Sequence, residues 1–240
     1  MKSRVVNAIS IIAVIVGLLA ILYPKYEEKH SQKVNTELID VVWNLMDEEY
    51  IDSDLGLGSE EEIDVYHGLD ETNNEIAKQE YTNLQLQDET TKDGVELTLE
   101  EKKERLLEQN LVYGIIEMPE LEEYYAVVKG TATDELRIAI GHLYGTAHFG
   151  QVGNCVLAGH RGGLSGIFFK NIDQLREGSK VLVTNMRKET FTYEVYEQFV
   201  ADRSEAEYIA PIGEEKTLTL ISGEEQGRKR LIVRCRIVEE

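Results

Sequence analysis

The sequence predicts a mainly β protein: a closed or nearly closed barrel with one or two short helices, preceded by an N-terminal transmembrane helix and an acidic stalk. Three observations support this. Val5 to Tyr23 is apolar except for Asn7 and Ser10. Residues 31–97 hold 19 Asp or Glu against Lys33, Lys78 and Lys92, a local balance of −16. From Leu111 onward the pattern becomes short apolar runs parted by glycines and polar turns, which is strand chemistry.

At 240 residues the chain exceeds one ordinary domain, so a folded domain plus extra segments is expected. The apolar run is long enough, at ~1.5 Å per helical residue, to cross most of a bilayer. Its exit, Leu19-Ala20-Ile21-Leu22-Tyr23, offers no small-x-small cleavage site, which favours a retained anchor over a removed signal peptide. The expected division is a cytoplasmic tail (1–4), an anchor (5–23), an extracytoplasmic stalk (24–97) and a barrel domain (98–240). Lys2 and Arg4 precede the span and Lys25, Lys29 and Lys33 follow it; the short tail and the acidic downstream region favour the N-terminus inside. Self-repelling charge and low apolar content predict a solvated, partly disordered stalk standing off the core.

The net charge of −20 argues against nucleic acid as a partner. Cys155 and Cys235 lie in apolar runs without framework spacing, so each reads as a small buried thiol. No disulfide scaffold, metal site or cofactor is implied.

Thr98-Leu99-Glu100-Glu101 has capping-box spacing and predicts a helix through Gln109. Strands are predicted at Val112 to Glu117, Tyr124 to Val128, Cys155 to Ala158, Val181 to Asn185, Thr190 to Phe199, Thr217 to Ile221 and Arg230 to Val238. Short helices fit Thr133 to Ile140 and Gly166 to Leu175. The last strand alternates cleanly, with Leu231, Val233, Cys235 and Ile237 against Arg230, Arg234 and Arg236. Closing such a set of strands on itself removes exposed sheet edges.

Near the C-terminus stand Thr217-Leu218-Thr219-Leu220-Ile221-Ser222-Gly223 and Arg230-Leu231-Ile232-Val233, with Leu157-Ala158-Gly159-His160-Arg161 upstream. Together these resemble the sortases, membrane-anchored cysteine transpeptidases of Gram-positive bacteria. Their signature is Thr-Leu-x-Thr-Cys on one strand, a His after an Ala-Gly or Thr-Gly pair, and an Arg opening the next strand. The resemblance covers Leu111 to Val238 and includes weaker phrases from Tyr113 to Pro119 and from Gly141 to Thr146. It implies a sortase-like barrel and a thiolate that attacks an Leu-Pro-x-Thr-Gly-like sorting signal of surface proteins. An amine acceptor, a cell-wall precursor or a pilin, then resolves the thioacyl enzyme.

The resemblance makes His160 the group that protonates the departing amine and deprotonates the incoming one, a role suited to a pKa near neutrality. Without it, His160 would read as a structural surface histidine. His142 is the rival histidine, but its phrase is not catalytic in the family, so it takes a structural role. Arg230 opens the last strand and is implied to hold the substrate carbonyl and its oxyanion. Arg234 and Arg236 read as solvated outer-face residues, and Lys229 is a weaker rival. Ser222 and the stretch Ile209, Ala210, Pro211, Ile212 are candidates for the substrate-binding wall; a turn with a core anchor explains that stretch nearly as well.

The chain departs from the pattern at Gly223, which stands where the nucleophilic Cys is expected. A deliberate replacement, a natural pseudoenzyme and a shift of the nucleophile to Ser222 would each account for it. The last is weakest, since a hydroxyl without a base is a poor nucleophile and neighbouring strand residues face opposite sides. The short Phe199-to-Thr217 segment argues against the class B type. The lack of a second span and of an Asp-Pro-aromatic phrase argues against class C, leaving a class D-like or housekeeping sortase. The expectation is a nucleophile-deleted form of a working enzyme, with a non-catalytic module that binds sorting-signal peptides as the alternative.

Overall fold

The structure, a computed structural model, describes residues 2–47, 75–82, 97–161, 168–224 and 228–238. Helix α1, Lys2–Asp47, contains the apolar run and continues beyond it as one helix with Pro24 inside. Its N-terminal apolar side chains, from Ile9 to Tyr23, are exposed. Further along, Val34, Leu38, Val42 and Met46 recur every four residues, fall on one helical face, and are buried.

That face seals an apolar cluster with Leu99, Leu106, Val112, Ile115, Ala126 and Val128. Polar bonds fix it in place: Asn35 Nδ2 donates to the Ile138 carbonyl at 2.8 Å, the Ser31 hydroxyl donates to the Arg137 carbonyl, and Trp43 Nε1 donates to the Tyr124 hydroxyl. A second helix, α2 (residues 75–82), buries Ala77 and Tyr81 against another face of the barrel. The solvated stalk expected over 31–97 is therefore corrected for its described parts. Lys33, Asp40, Asp47, Glu75 and Lys78 are exposed on helices whose apolar stripes are docked, while Glu37 pairs with Lys103 and Glu80 turns to the barrel. A charge balance averaged over the segment cannot register such one-sidedness. Residues 48–74 and 83–96 lie outside the described residues.

Helix α3, Leu99–Glu108, starts with the expected capping box: Thr98 Oγ1 accepts from Glu101 N at 3.2 Å and Glu101 Oε2 accepts from Thr98 N at 2.7 Å. It ends with Gln109 as its C-cap. Buried Lys102 pairs with Asp134 at 3.2 Å, and Arg105 reaches Asp134 and Glu135, both at 2.9 Å. These pairs fasten α3 to the short helix α4, Thr133–Leu136.

Eight strands close the barrel: β1 Val112–Met118, β2 Glu123–Lys129, β3 Ile140–His142, β4 Gly153–Gly159, β5 Lys180–Asn185, β6 Thr190–Asp202, β7 Lys216–Glu224 and β8 Lys229–Ile237. They run in the order β1-β2-β3-β4-β7-β8-β6-β5, with β2/β3 and β4/β7 parallel. All seven expected strands are present. The eighth, β3, takes Ile140 from the end of an expected helix, because pairing with Val127 on β2 and with β4 outweighs local preference. The helix expected at Gly166 to Leu175 falls partly outside the described residues; its described part holds only a 3₁₀ turn, Ile172–Gln174.

Alternation sorts the strands into two faces. Cys155 and Leu157 on β4, Leu218 and Leu220 on β7, and Leu231, Val233 and Cys235 on β8 fill the interior with Tyr193 and Phe168. Val156, Ala158, Ile221 and Ile232 point outward, under Tyr208 and Ile209 of the β6–β7 loop and under Ala77 and Tyr81 of α2. Cys155 and Cys235 are 1% and 0% exposed, and burial pushes both thiols up, away from the thiolate form.

Candidate active site

The three adjacent strands β4, β7 and β8 bring His160, Gly223 and Arg230 to one end of the barrel. In the parallel β4/β7 register Gly159 lies opposite Ser222, so the next step sets His160 against Gly223. In the antiparallel β7/β8 register Gly223 lies opposite Arg230. Parity puts Gly223 with Ile221 and Arg230 with Ile232, toward the outer face, and His160 follows directly on Gly159 at the end of β4. Half-buried His160 and buried Arg230 thus flank position 223 from its two neighbouring strands.

Gly159 allows this approach for a reason the sequence did not disclose. A β-carbon there would stand 2.7 Å from Ile140 Cδ1 and 2.8 Å from Phe169 Cδ2. Phe169 is the residue whose N–H donates to the His160 carbonyl, at 3.0 Å. Gly223 differs: a β-carbon built on it meets nothing within 4 Å, and its φ lies outside the left-handed region. Neither crowding nor backbone conformation requires glycine there, and a β-carbon has open space around it.

Two further groups, Arg161 at this end and Asn154 near the start of β4, fasten the surrounding segments and were not picked out from the sequence. Arg161 pairs with Glu224, next to Gly223, with Asp173 at 2.9 Å, and donates from Nε to the Lys170 carbonyl at 3.2 Å. It ties the segment after β4 to the end of β7, and its place beside His160 was the available signal. Asn154 donates from Nδ2 to the carbonyls of Tyr208 at 3.0 Å and Ile209 at 3.1 Å, and its Oδ1 accepts from Thr219 Oγ1 at 2.8 Å and Thr217 Oγ1 at 3.2 Å. It fastens the β6–β7 loop to β4 and β7. A lone Asn in an apolar run was its only trace.

Several expectations are corrected here. Ser222, expected in the substrate wall, is 2% exposed and shares the parity of Leu218 and Leu220, so alternation turns it inward. Ile209 is 3% exposed and packed in the outer apolar cluster, which makes it an anchor of the loop and not an open wall. Its carbonyl is held by Asn154, six residues before His160 and so ~20 Å away along β4. Ala210 and Pro211 follow it half-buried.

The rival groups are engaged elsewhere. His142 stacks on Tyr113 with centroids 4.4 Å apart, and its Nε2 lies 3.0 Å from the Ala147 carbonyl and 3.2 Å from Thr146 Oγ1. Burial lowers its pKa to about 3, so the ring is neutral at neutral pH and offers no imidazolium as a general acid. Arg234 pairs with Glu197 at 3.3 Å and lies over Phe199, while Arg236 pairs with Glu215 at 3.0 Å and lies over Tyr196.

An eight-stranded barrel presenting a His and an Arg on either side of one position matches a known family description, the Sortase domain, over residues 116–238. The chain belongs to the sortase family. It is 28% identical over 107 residues to Sortase D of Bacillus subtilis (strain 168), a match spanning 45% of this chain and 52%, about half, of that relative. It is similar, at 26% identity and TM-score 0.50, to a Clostridium perfringens Sortase D5 transpeptidase, covering 69% of this chain and 99% of that one. Sortase C1 of GBS Pilus Island 1 shares the fold at TM-score 0.57 and 19% identity, with 86% and 93% of the two chains covered.

Proposed function

We propose that this chain is a class D-like sortase whose site is complete except for its sulfur. It is anchored by the apolar part of α1 with the barrel outside the cell. The observation that carries the reading is position 223: open to a side chain, opposite Arg230 and one step from the Gly159–Ser222 pair that brings up His160. The similarity to Sortase D and to a Sortase D5 transpeptidase supports the class and the reaction type.

With a thiolate at position 223, sulfur would attack the Thr carbonyl carbon of an Leu-Pro-x-Thr-Gly-like signal. The carbonyl electrons move onto oxygen, where the Arg230 guanidinium faces the developing charge. Collapse re-forms the carbonyl and breaks the C–N bond; His160 hands its proton to the leaving amine, and a thioester remains. An incoming amine, on a cell-wall precursor or a pilin, attacks that thioester, His160 takes its proton, and the C–S bond breaks to return the thiolate. One amide is exchanged for another with no net redox change. With Gly223 in place the site binds the signal and stops there.

The test is Gly223→Cys. The expected result is a thioacyl adduct with an Leu-Pro-x-Thr-Gly peptide by mass spectrometry, lost again when His160→Ala or Arg230→Ala is added and largely kept with His142→Ala or Arg234→Ala. A folded Gly223→Cys protein inert toward a broad panel of signals would favour the second reading, a peptide-binding module without chemistry. Glycine at position 223 itself speaks for that reading.

A further inference from the structure

We infer that α1 holds the site-bearing end of the barrel facing the bilayer, at the level of the lipid headgroups. The inference rests on the membrane anchor proposed above and concerns the partner surface of the same site. Two contacts at opposite ends of the docked helix carry it. Near its membrane end, Glu28 of α1 pairs at 3.0 Å with Lys170, the neighbour of Phe169, whose N–H holds the His160 carbonyl. At its other end, Asp47 pairs with Lys188 in the β5–β6 turn.

That turn belongs to the opposite end of the barrel. Strand β6 leaves it at Thr190, and reaches Arg230 only at Ala201. Helix α1 therefore runs along the barrel wall from the His160 end to the far end. Asp47 lies nineteen residues beyond Glu28, a rise of ~28 Å, comparable to the ~30 Å of the nine-residue strand β8. Glu28 lies only five residues, ~7 Å of helix, beyond Tyr23 at the end of the exposed apolar run.

Between those ends the helix is seated by Asn35 on the Ile138 carbonyl and by the buried stripe Val34, Leu38, Val42 and Met46. A helix continuous from the span to such a docked face leaves the barrel little freedom to turn over. The exposed Lys25 and Lys29 lie at the junction, where phosphate groups would meet them.

The test uses the full chain, in nanodiscs of phosphatidylcholine and phosphatidylglycerol carrying a headgroup-linked energy acceptor. A single dye is placed at the site end by Gln174→Cys or at the far end by Arg187→Cys. Both positions are exposed, whereas Cys155 and Cys235 are buried and stay unlabelled. Co-flotation with the lipid first scores the anchor by itself, so failure to insert sinks the anchor and not the orientation. The expected result is several-fold stronger energy transfer from position 174 than from position 187. Insertion of Gly-Ser-Gly-Ser after Lys25 should abolish most of that difference, with the thermal unfolding of the barrel unchanged. Equal transfer from the two positions, stronger transfer from position 187, or a difference that survives the flexible insertion would each overturn the inference.

Discussion

At Gly159 an added methyl would press on Ile140 and Phe169, while at Gly223, one strand away, it would meet nothing within 4 Å. Gly159→Ala should cost about 1–3 kcal/mol, since Phe169 must shift and carries the His160 carbonyl with it. Gly223→Ala should leave stability within about 0.5 kcal/mol of the parent, as checked by chemical denaturation. A second residue-scale expectation concerns acid. Burial holds His142 at about 3 and His148 at about 4, below the ordinary 6.5, so the unfolded chain takes up protons that the folded one refuses. Their contribution is whole above pH 6.5 and is lost as the pH falls, toward 4 for His148 and on toward 3 for His142. The melting temperature should drop across that window, and His142→Gln combined with His148→Gln should flatten the drop.

Among elements, the β6–β7 loop and α2 are joined by a tyrosine pair. Tyr81 is 1% exposed, its hydroxyl bonds to that of Tyr208 and to the Arg203 carbonyl, and its ring meets the Tyr208 ring edge-on at 5.7 Å. Beside it, Glu80 accepts from Thr131 N at 3.1 Å, Thr131 Oγ1 at 3.0 Å and Tyr144 N at 3.2 Å. Tyr81→Ala should cost about 3–5 kcal/mol and loosen the loop, whereas Tyr81→Phe, which keeps the packing, should cost about 1 kcal/mol. Hydrogen exchange at Tyr208 and Ile209 would read the loosening. The Arg161 link from the segment after β4 to Glu224 has a different signature. Its partners are partly exposed, so Glu224→Gln should change stability by less than about 1 kcal/mol. In the Gly223→Cys protein the same change should lower the acylation rate, because Arg161 keeps the β4 and β7 ends in register around the reacting atoms.

For the molecule as a whole, the barrel is wrapped by helices from the N-terminal third. A protein beginning at Thr98 lacks the stripe of Val34, Leu38, Val42 and Met46 and uncovers Val112, Ile115, Ala126 and Val128. It should unfold at a markedly lower temperature and bind a hydrophobic dye, and one beginning at Lys25 should do neither. Cooperative unfolding at the parent temperature by the shorter protein would show that α1 contributes nothing to the barrel.

Strand patterning, the capping box at Thr98 and the order of the His160, Gly223 and Arg230 phrases were legible in the sequence, because each depends on a local period or on neighbouring residues. Thr217 to Ile221 alternates whether or not its partners are known, and Thr98 with Glu101 closes a cap across three residues. Tertiary structure alone decided what depends on partners distant in sequence. It made β3 a strand through Val127 and Leu157, turned Ser222 inward and Gly223 outward, sent Ile209 to Asn154 and away from His160, and docked α1 and α2 on the barrel. Charge and composition describe a segment's average, while burial is decided by which face of it meets another surface, and that surface lies elsewhere in the chain.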